Sequence, residues 1–332
     1  MKMCLPIENP PITSFPAIAN TLSILWTKKD KILPWVSERY IQLIIRPHHP
    51  VTRSDFYDNA DTDNYIIRVN HCPFIGWLRN NQTTANFKKF TDYIEHQINN
   101  GYYLDACLDN FYLSCSHQFN KNHFIHQTFI YGYDRKNRQV FIADFYDYGK
   151  YVRKSVSYKE INKSIEGIDY FINLYKYEDT DYKINLHLLK LSVEDYINCK
   201  DSLRSFEFTN KNYNRDILYG LNFYDYIIDV FCKDEIIDIR PFHILYDHKT
   251  MMKIRIDYLI NIGTFDKSML EQINSRNDSL ISSAVLLRNM VLKYNYNPDK
   301  NLLNKIKEKC KALQKSDYDL FSDLLIAMRV AN

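Results

Sequence analysis

The chain has 332 residues, 45% hydrophobic and 25% charged, which is enough for two modest folded domains, or one with an extension, and excludes a disordered chain. A formal net charge of +3 is too balanced for a nucleic-acid binder, which carries a basic face or stripe. Only seven glycines occur, and their spacing allows no GxGxxG, Walker loop or GxSxG elbow, so phosphate-cradling loops of those kinds are excluded.

Seven cysteines, at 4, 72, 107, 115, 199, 232 and 310, form no CxxC and no paired spacing. With no secretory signal, they predict reduced thiols in a cytoplasm. No apolar run reaches the roughly 20 residues of a membrane span, so no membrane partner is expected. Asn81-Gln82-Thr83 matches the glycosylation sequon and is read as chance in such a chain.

Four prolines within residues 1–16 predict an extended arm. Thr13 or Ser14 is placed to cap a helix starting near Pro16, with Ile18, Leu22 and Leu25 on its apolar face. Lys28 to Lys31 should break that helix, and Pro34-Trp35 should start a second segment running to Ile45. Residues 51–65, with Asp55, Asp58, Asp61 and Asp63, read as a solvated loop that lacks the Gly and Glu of a calcium site. Ile66–Val69 reads as a short strand. Asn86–Asn100 reads as a helix stopped by Gly101. Tyr102–Leu113, Val152–Val156 and Tyr170–Tyr177 read as strands, and Ser157 with Glu160 forms a capping-box pattern.

Beyond about residue 180 the periodicity becomes helical. Ser192 with Asp195 resembles a cap, Tyr219–Phe231 reads as a helix, and Asp238–Met269 reads as one long helix or two. Leu280, Ala284, Leu287 and Val291 share a helical face, as do Leu303, Ile306, Cys310 and Leu313, with Pro298-Asp299 between them. Ser316 and Asp319 should cap a last helix whose face is Tyr318, Phe321, Leu325 and Met328.

The stretch His123 to Lys150, HFIHQTFIYGYDRKNRQVFIADFYDYGK, carries the chemistry. Two β-rich runs flank a polar turn at residues 134–138, so an antiparallel hairpin brings His126 close to Asp144. A His beside a carboxylate is an oriented, more basic imidazole, two parts of a nucleophile–base–orienter site. Three readings follow. His126 is a general base with Asp144 as its orienter; or His123 and His126 bind a metal, although no HExxH or Cys–His cluster accompanies them; or His126 is a structural histidine satisfied by Asp144.

HQTFIYGYD followed by VFIADF resembles the histidine and aspartate strands of papain-like cysteine peptidases. The likeness is nearer to the bacteriocin-processing C39 peptidases, and nearest to butirosin biosynthesis protein H-like proteins of specialised-metabolite gene clusters. NGYYLDACLDNFYL is similar to their strand before the histidine, and a helical C-terminal part with DIRPFHILYDHK suits the same group. The resemblance implies an α+β fold: a papain-like domain with an antiparallel sheet and N-terminal helix over residues 1–178, then a mainly helical region over 179–332. It implies His126 as base and Asp144 as orienter. It also implies acyl or peptidyl transfer, or hydrolysis, on a carrier-bound or peptide thioester or amide, with an acyl- or peptidyl-carrier protein as partner and no cofactor.

The nucleophile does not carry over. The family's cysteine opens an N-terminal helix, where the helix end lowers a thiol pKa; here that position reads Thr13-Ser14-Phe15-Pro16. Ser14 is one substitute and otherwise an N-cap. Cys4, in the proline arm, and Cys72, between His71 and Pro73 where a helical turn could begin, are the others. The alternative function is therefore a catalytically degenerate relative that binds or scaffolds.

Overall fold

A computed structural model of the chain describes residues 1–47, 54–56, 72–80, 87–147, 149–168, 172–202, 217–230, 232 and 236–330. The fold is mixed α+β with antiparallel sheets and a helical C-terminal part. It divides into two units. One comprises Met1–Lys29 and Val69–Asp181, the other Asp30–Arg68 and Tyr182–Asn332. Residues 30–68 thus group with the helical part, which a single cut near 178 does not provide for.

The first unit is built on β5 (Tyr103–Asp109), β6 (Ile125–Asp134) and β7 (Gln139–Asp147). The sheet runs β4 (Ile75–Asn80), β9 (Ile172–Tyr177), β5, β6, β7 and β8 (Lys150–Ser157), all antiparallel, with β1 (Lys2–Cys4) added to the far part of β6. Side chains alternate across a strand. Leu104, Ala106 and Leu108 of β5, Ile130 of β6, and Val140, Ile142 and Tyr146 of β7 pack with α3 (Phe90–Asn99) and α4 (Tyr158–Ser164) on one face. The other face meets α1 (Pro16–Leu25), whose Asn20 accepts a hydrogen bond from Tyr151 at 2.9 Å. Register shifts between Ile130 and Gly132, which lets β1 close against β6. A Cβ on Gly132 would stand 2.6 Å from the Met3 carbonyl oxygen, so glycine is required there.

Local signals read well in this unit. Ser157 and Glu160 form the capping box, and Gly101, at φ +82, follows the end of α3. Other expectations fail. The N-cap of α1 is Phe15, and neither Thr13 nor Ser14 caps it. Pro34 lies inside α2 (Lys29–Val36) and starts nothing new. Asp55 is no loop residue; it is buried in β3 (Ser54–Phe56), 3.6 Å from the Arg46 guanidinium. The expected strand at 66–69, the sequon and Asp58, Asp61 and Asp63 lie outside the described residues.

The second unit carries a three-stranded sheet, β10 (Leu218–Tyr219), β2 (Leu43–Ile45) and β3, with α5 (Leu186–Ile197), α6 (Asn222–Asp229), α7 (Arg240–Ile262), α8 (Lys267–Tyr296) and α9 (Lys300–Val330). Ser192 and Asp195 sit inside α5, capped instead by Asn185. Ser316 and Asp319 cap nothing, since α9 continues unbroken through them, and Tyr318 is exposed. A periodic stripe marks a face but not where a helix starts.

This unit is held by buried charge. Lys249 of α7 is fully enclosed, and its Nζ donates to Asp317 of α9 at 2.5 Å. Tyr196 of α5 and Tyr224 of α6 donate to the same Oδ2 at 2.6 and 2.9 Å. One carboxylate oxygen therefore ties four helices together. Arg255, also fully buried, donates to the carbonyls of Ser37 and Arg39, and His248 pairs with the Ile41 carbonyl at 2.8 Å; these bonds fix the segment after α2. Removing one partner of a buried pair leaves the other charge uncompensated, which costs about 3–5 kcal/mol. Lys249→Met should lower unfolding stability by about that amount in urea melts, and the double variant Lys249→Met/Asp317→Leu should recover part of it.

Candidate functional site

The ladder explains why His126 meets Asp144. Leu108 faces His126 across β5–β6, and Phe129 faces Ala143 across β6–β7. Counting from those pairs, His126, Thr128, Ile130, Ile142 and Asp144 point to the α3–α4 face. His126 Nδ1 lies 2.7 Å from Asp144 Oδ2, and Asp144 Oδ1 accepts the Phe145 amide at 2.7 Å. With Nδ1–H donating, Nε2 is left as the basic nitrogen. The Asp144 side chain is 3% exposed and that of His126 28%. Burial alone would depress the imidazole pKa, but the Asp144 hydrogen bond and the charges of Asp144 and Asp105 outweigh it, so the value is raised above 6.5.

The rim of this site is aromatic. The half-exposed Phe124 ring stacks on His126, centroids 5.5 Å apart. His123 repeats the arrangement nearby: Nδ1 lies 2.5 Å from Asp109 Oδ2, and its ring stacks on Phe111 at 4.3 Å. Each histidine therefore has its own carboxylate. Among the described residues no group of three or more His, Cys, Asp or Glu is placed to hold a metal ion.

The three nucleophile candidates lie elsewhere. Cys4 pairs with Gly132, six residues along β6 from His126, or about 20 Å at strand rise. Its pKa is raised by burial, against the Lys2 charge. Cys72 is buried at a turn leading into β4, not at a helix start. β9 and β5 separate β4 from β6, and Ile75 pairs with Tyr177 at the end of the sheet away from Leu108 and His126. Ser14 precedes α1, which packs on the other face; its buried hydroxyl has no hydrogen-bond partner among the described residues. Among the described residues, Asp144 is the one side chain hydrogen-bonded to His126.

One thiol does approach the pair. Cys115 packs near Tyr146 and feels the Asp144 charge, but burial with Glu160 and Asp144 pushes its pKa up to about 12, against nearby Lys154. It stays protonated and is a poor nucleophile.

Sequence reading passed over a second polar group, on the α1 face. Gln127, next to His126 but pointing the opposite way, donates to Asp105 Oδ2, as does Tyr175 at 3.3 Å. The signal was present as a carboxylate in the middle of an apolar strand, YLDACLD. No protein-family model matches the chain, and no curated protein matches it.

The pair can be tested directly. Ring-proton NMR should place the His126 midpoint above 6.5 in wild type. In Asp144→Asn, with burial left and the partner charge gone, it should fall from the wild-type value.

Proposed function

We propose that the first unit is a papain-like domain of the butirosin biosynthesis protein H-like kind that keeps base and orienter, with no nucleophile hydrogen-bonded to the base among the described residues. On this reading the protein is a binding or scaffold component of specialised-metabolite biosynthesis, its partner an acyl- or peptidyl-carrier protein in the cytoplasm. One observation carries it: His126 and Asp144 are in catalytic-style contact, while Ser14, Cys4 and Cys72 each lie on another face or at another end of the sheet. Among the described residues no helix is long and apolar enough to cross a membrane.

A second reading, acyl or peptidyl transfer through a covalent intermediate, is favoured by the raised basicity and partial exposure of His126. A base of that kind activates a thiol or hydroxyl by taking its proton, and an amine would then resolve the acyl-enzyme. The two readings part in one experiment, labelling with a thiol-reactive acyl probe. Equal labelling of wild type and His126→Ala is expected. Labelling lost in His126→Ala would sink the binding reading in favour of the transferase.

A further inference from the structure

Charge is unevenly spread over the second unit. Residues 289–315, the end of α8 and the first half of α9, carry seven lysines against two acids, a local charge of +5 in a chain whose net charge is +3. That surplus is unopposed. Among the described residues none of the seven lysines makes an ion pair. Of the two acids, Asp299 is engaged by the amides of Asn301 and Leu302 at the start of α9.

The same end of the unit is apolar at its tip. Tyr296 (92% exposed), Ile236 (73%) and Leu292 (52%) are the most exposed large hydrophobic side chains among the described residues of the second unit. Leu292 and Tyr296, four positions apart, share an outer face of α8, away from the buried Val291 and Tyr294. Ile236 is held beside them. The Asn295 side chain accepts from the Ile237 amide and donates to the Ile237 carbonyl, both at 2.8 Å, and Ile237 itself is buried. α9 starts at Lys300, after a turn at residues 297–299. Exposed Lys293 and Lys300 therefore flank the apolar tip, and exposed Lys305 follows about 7.5 Å along α9. Single exposed hydrophobics are ordinary; three gathered on one tip among unpaired cations mark a contact surface.

We propose that this tip docks on an anionic lipid bilayer. Tyr296, Leu292 and Ile236 enter the boundary between headgroups and acyl chains, and the lysines meet the anionic headgroups. The turned end of a helical hairpin is convex, and a fluid bilayer needs no complementary groove to receive it. Three side chains fall short of the roughly 800 Å² that a partner protein, a second copy of this chain included, covers in a stable interface. The cations within residues 289–315 are all lysine, with no arginine fork of the kind that reads nucleic acids or acidic peptides. A tyrosine, apolar in its body and polar at its tip, suits the membrane interface. Such docking is peripheral and is independent of whether any helix could cross a membrane.

Co-sedimentation of the full chain with vesicles tests this. Mixed phosphatidylcholine–phosphatidylserine vesicles should carry the protein down at low salt and progressively less as salt rises, and pure phosphatidylcholine vesicles should carry far less. Each lysine near an anionic surface strengthens binding about fivefold, so Lys293→Gln/Lys300→Gln/Lys305→Gln should weaken it on the order of 100-fold. Leu292→Ser/Tyr296→Ser should weaken it at least about tenfold. All five side chains are exposed, so these variants should fold. The charge-matched control Lys121→Gln/Lys136→Gln/Lys150→Gln, on the first unit, should bind like wild type. Absence of wild-type binding to the anionic vesicles overturns the proposal without recourse to any variant. An equal loss in the control overturns it by showing that net charge alone attracts the chain. Unchanged binding in Leu292→Ser/Tyr296→Ser removes the tip from the contact, and a wild-type dimer that this variant dissolves in sedimentation velocity assigns the tip to a second copy; either overturns it.

Discussion

The first unit depends on the register of β6 between β5 and β7. Neighbouring residues on a strand face opposite sides, so His126 and Gln127 serve two separate polar clusters one peptide apart. A slip of one residue would send both to the wrong face and put Phe129 where Thr128 now meets Tyr146. Two devices pin the register. At the turn, Asp134 accepts from the Asn137 amide and side chain while Arg138 adopts φ 53. At the bulge, β1 closes over Gly132 so tightly that no side chain fits.

The buried carboxylates show how differently similar groups can be held. Asp144 has an imidazole on one oxygen and a backbone amide on the other, so its charge is met on both sides. Asp317 has a lysine and two tyrosine hydroxyls converging on a single oxygen, a rigid junction between helices. Asp105 has neutral donors alone, the Gln127 and Asn20 amides and the Tyr175 phenol. The first two carboxylates each meet a basic side chain. The third is left to desolvation, which favours the proton.

What could be read from the sequence follows contact distance along the chain. The hairpin, the capping box and the apolar stripe of α8 involve residues a few positions apart, and they appear where expected. The pairing of His126 with Asp144 was legible for the same reason, since a short turn fixes who faces whom. The candidate nucleophiles were not. Whether Cys72 can reach His126 depends on the strand order β4-β9-β5-β6, set by pairings across about 100 residues of chain. The grouping of residues 30–68 with the helical unit rests on Arg255 and His248, more than 200 positions away. Polar residues at 192, 195, 316 and 319 look like caps locally, but helix-favouring neighbours and tertiary packing carry the helices through them.

A base with no nucleophile hydrogen-bonded to it among the described residues is not a contradiction in physical terms. Asp144 is buried and accepts two hydrogen bonds; His126 supplies one, and the carboxylate beside it makes the imidazole more basic. The contact therefore stabilises the ladder whether or not anything is ever deprotonated. Phe124 adds to this by stacking on one ring face, which restrains the imidazole plane. Every feature that would tune a catalytic base is equally a feature of a well-satisfied buried carboxylate. Function is decided at the opposite nitrogen, Nε2, by what comes within reach of it. The ladder places the sequence-derived candidates on another face or at other ends of the sheet, so any group that His126 activates must come from outside that set.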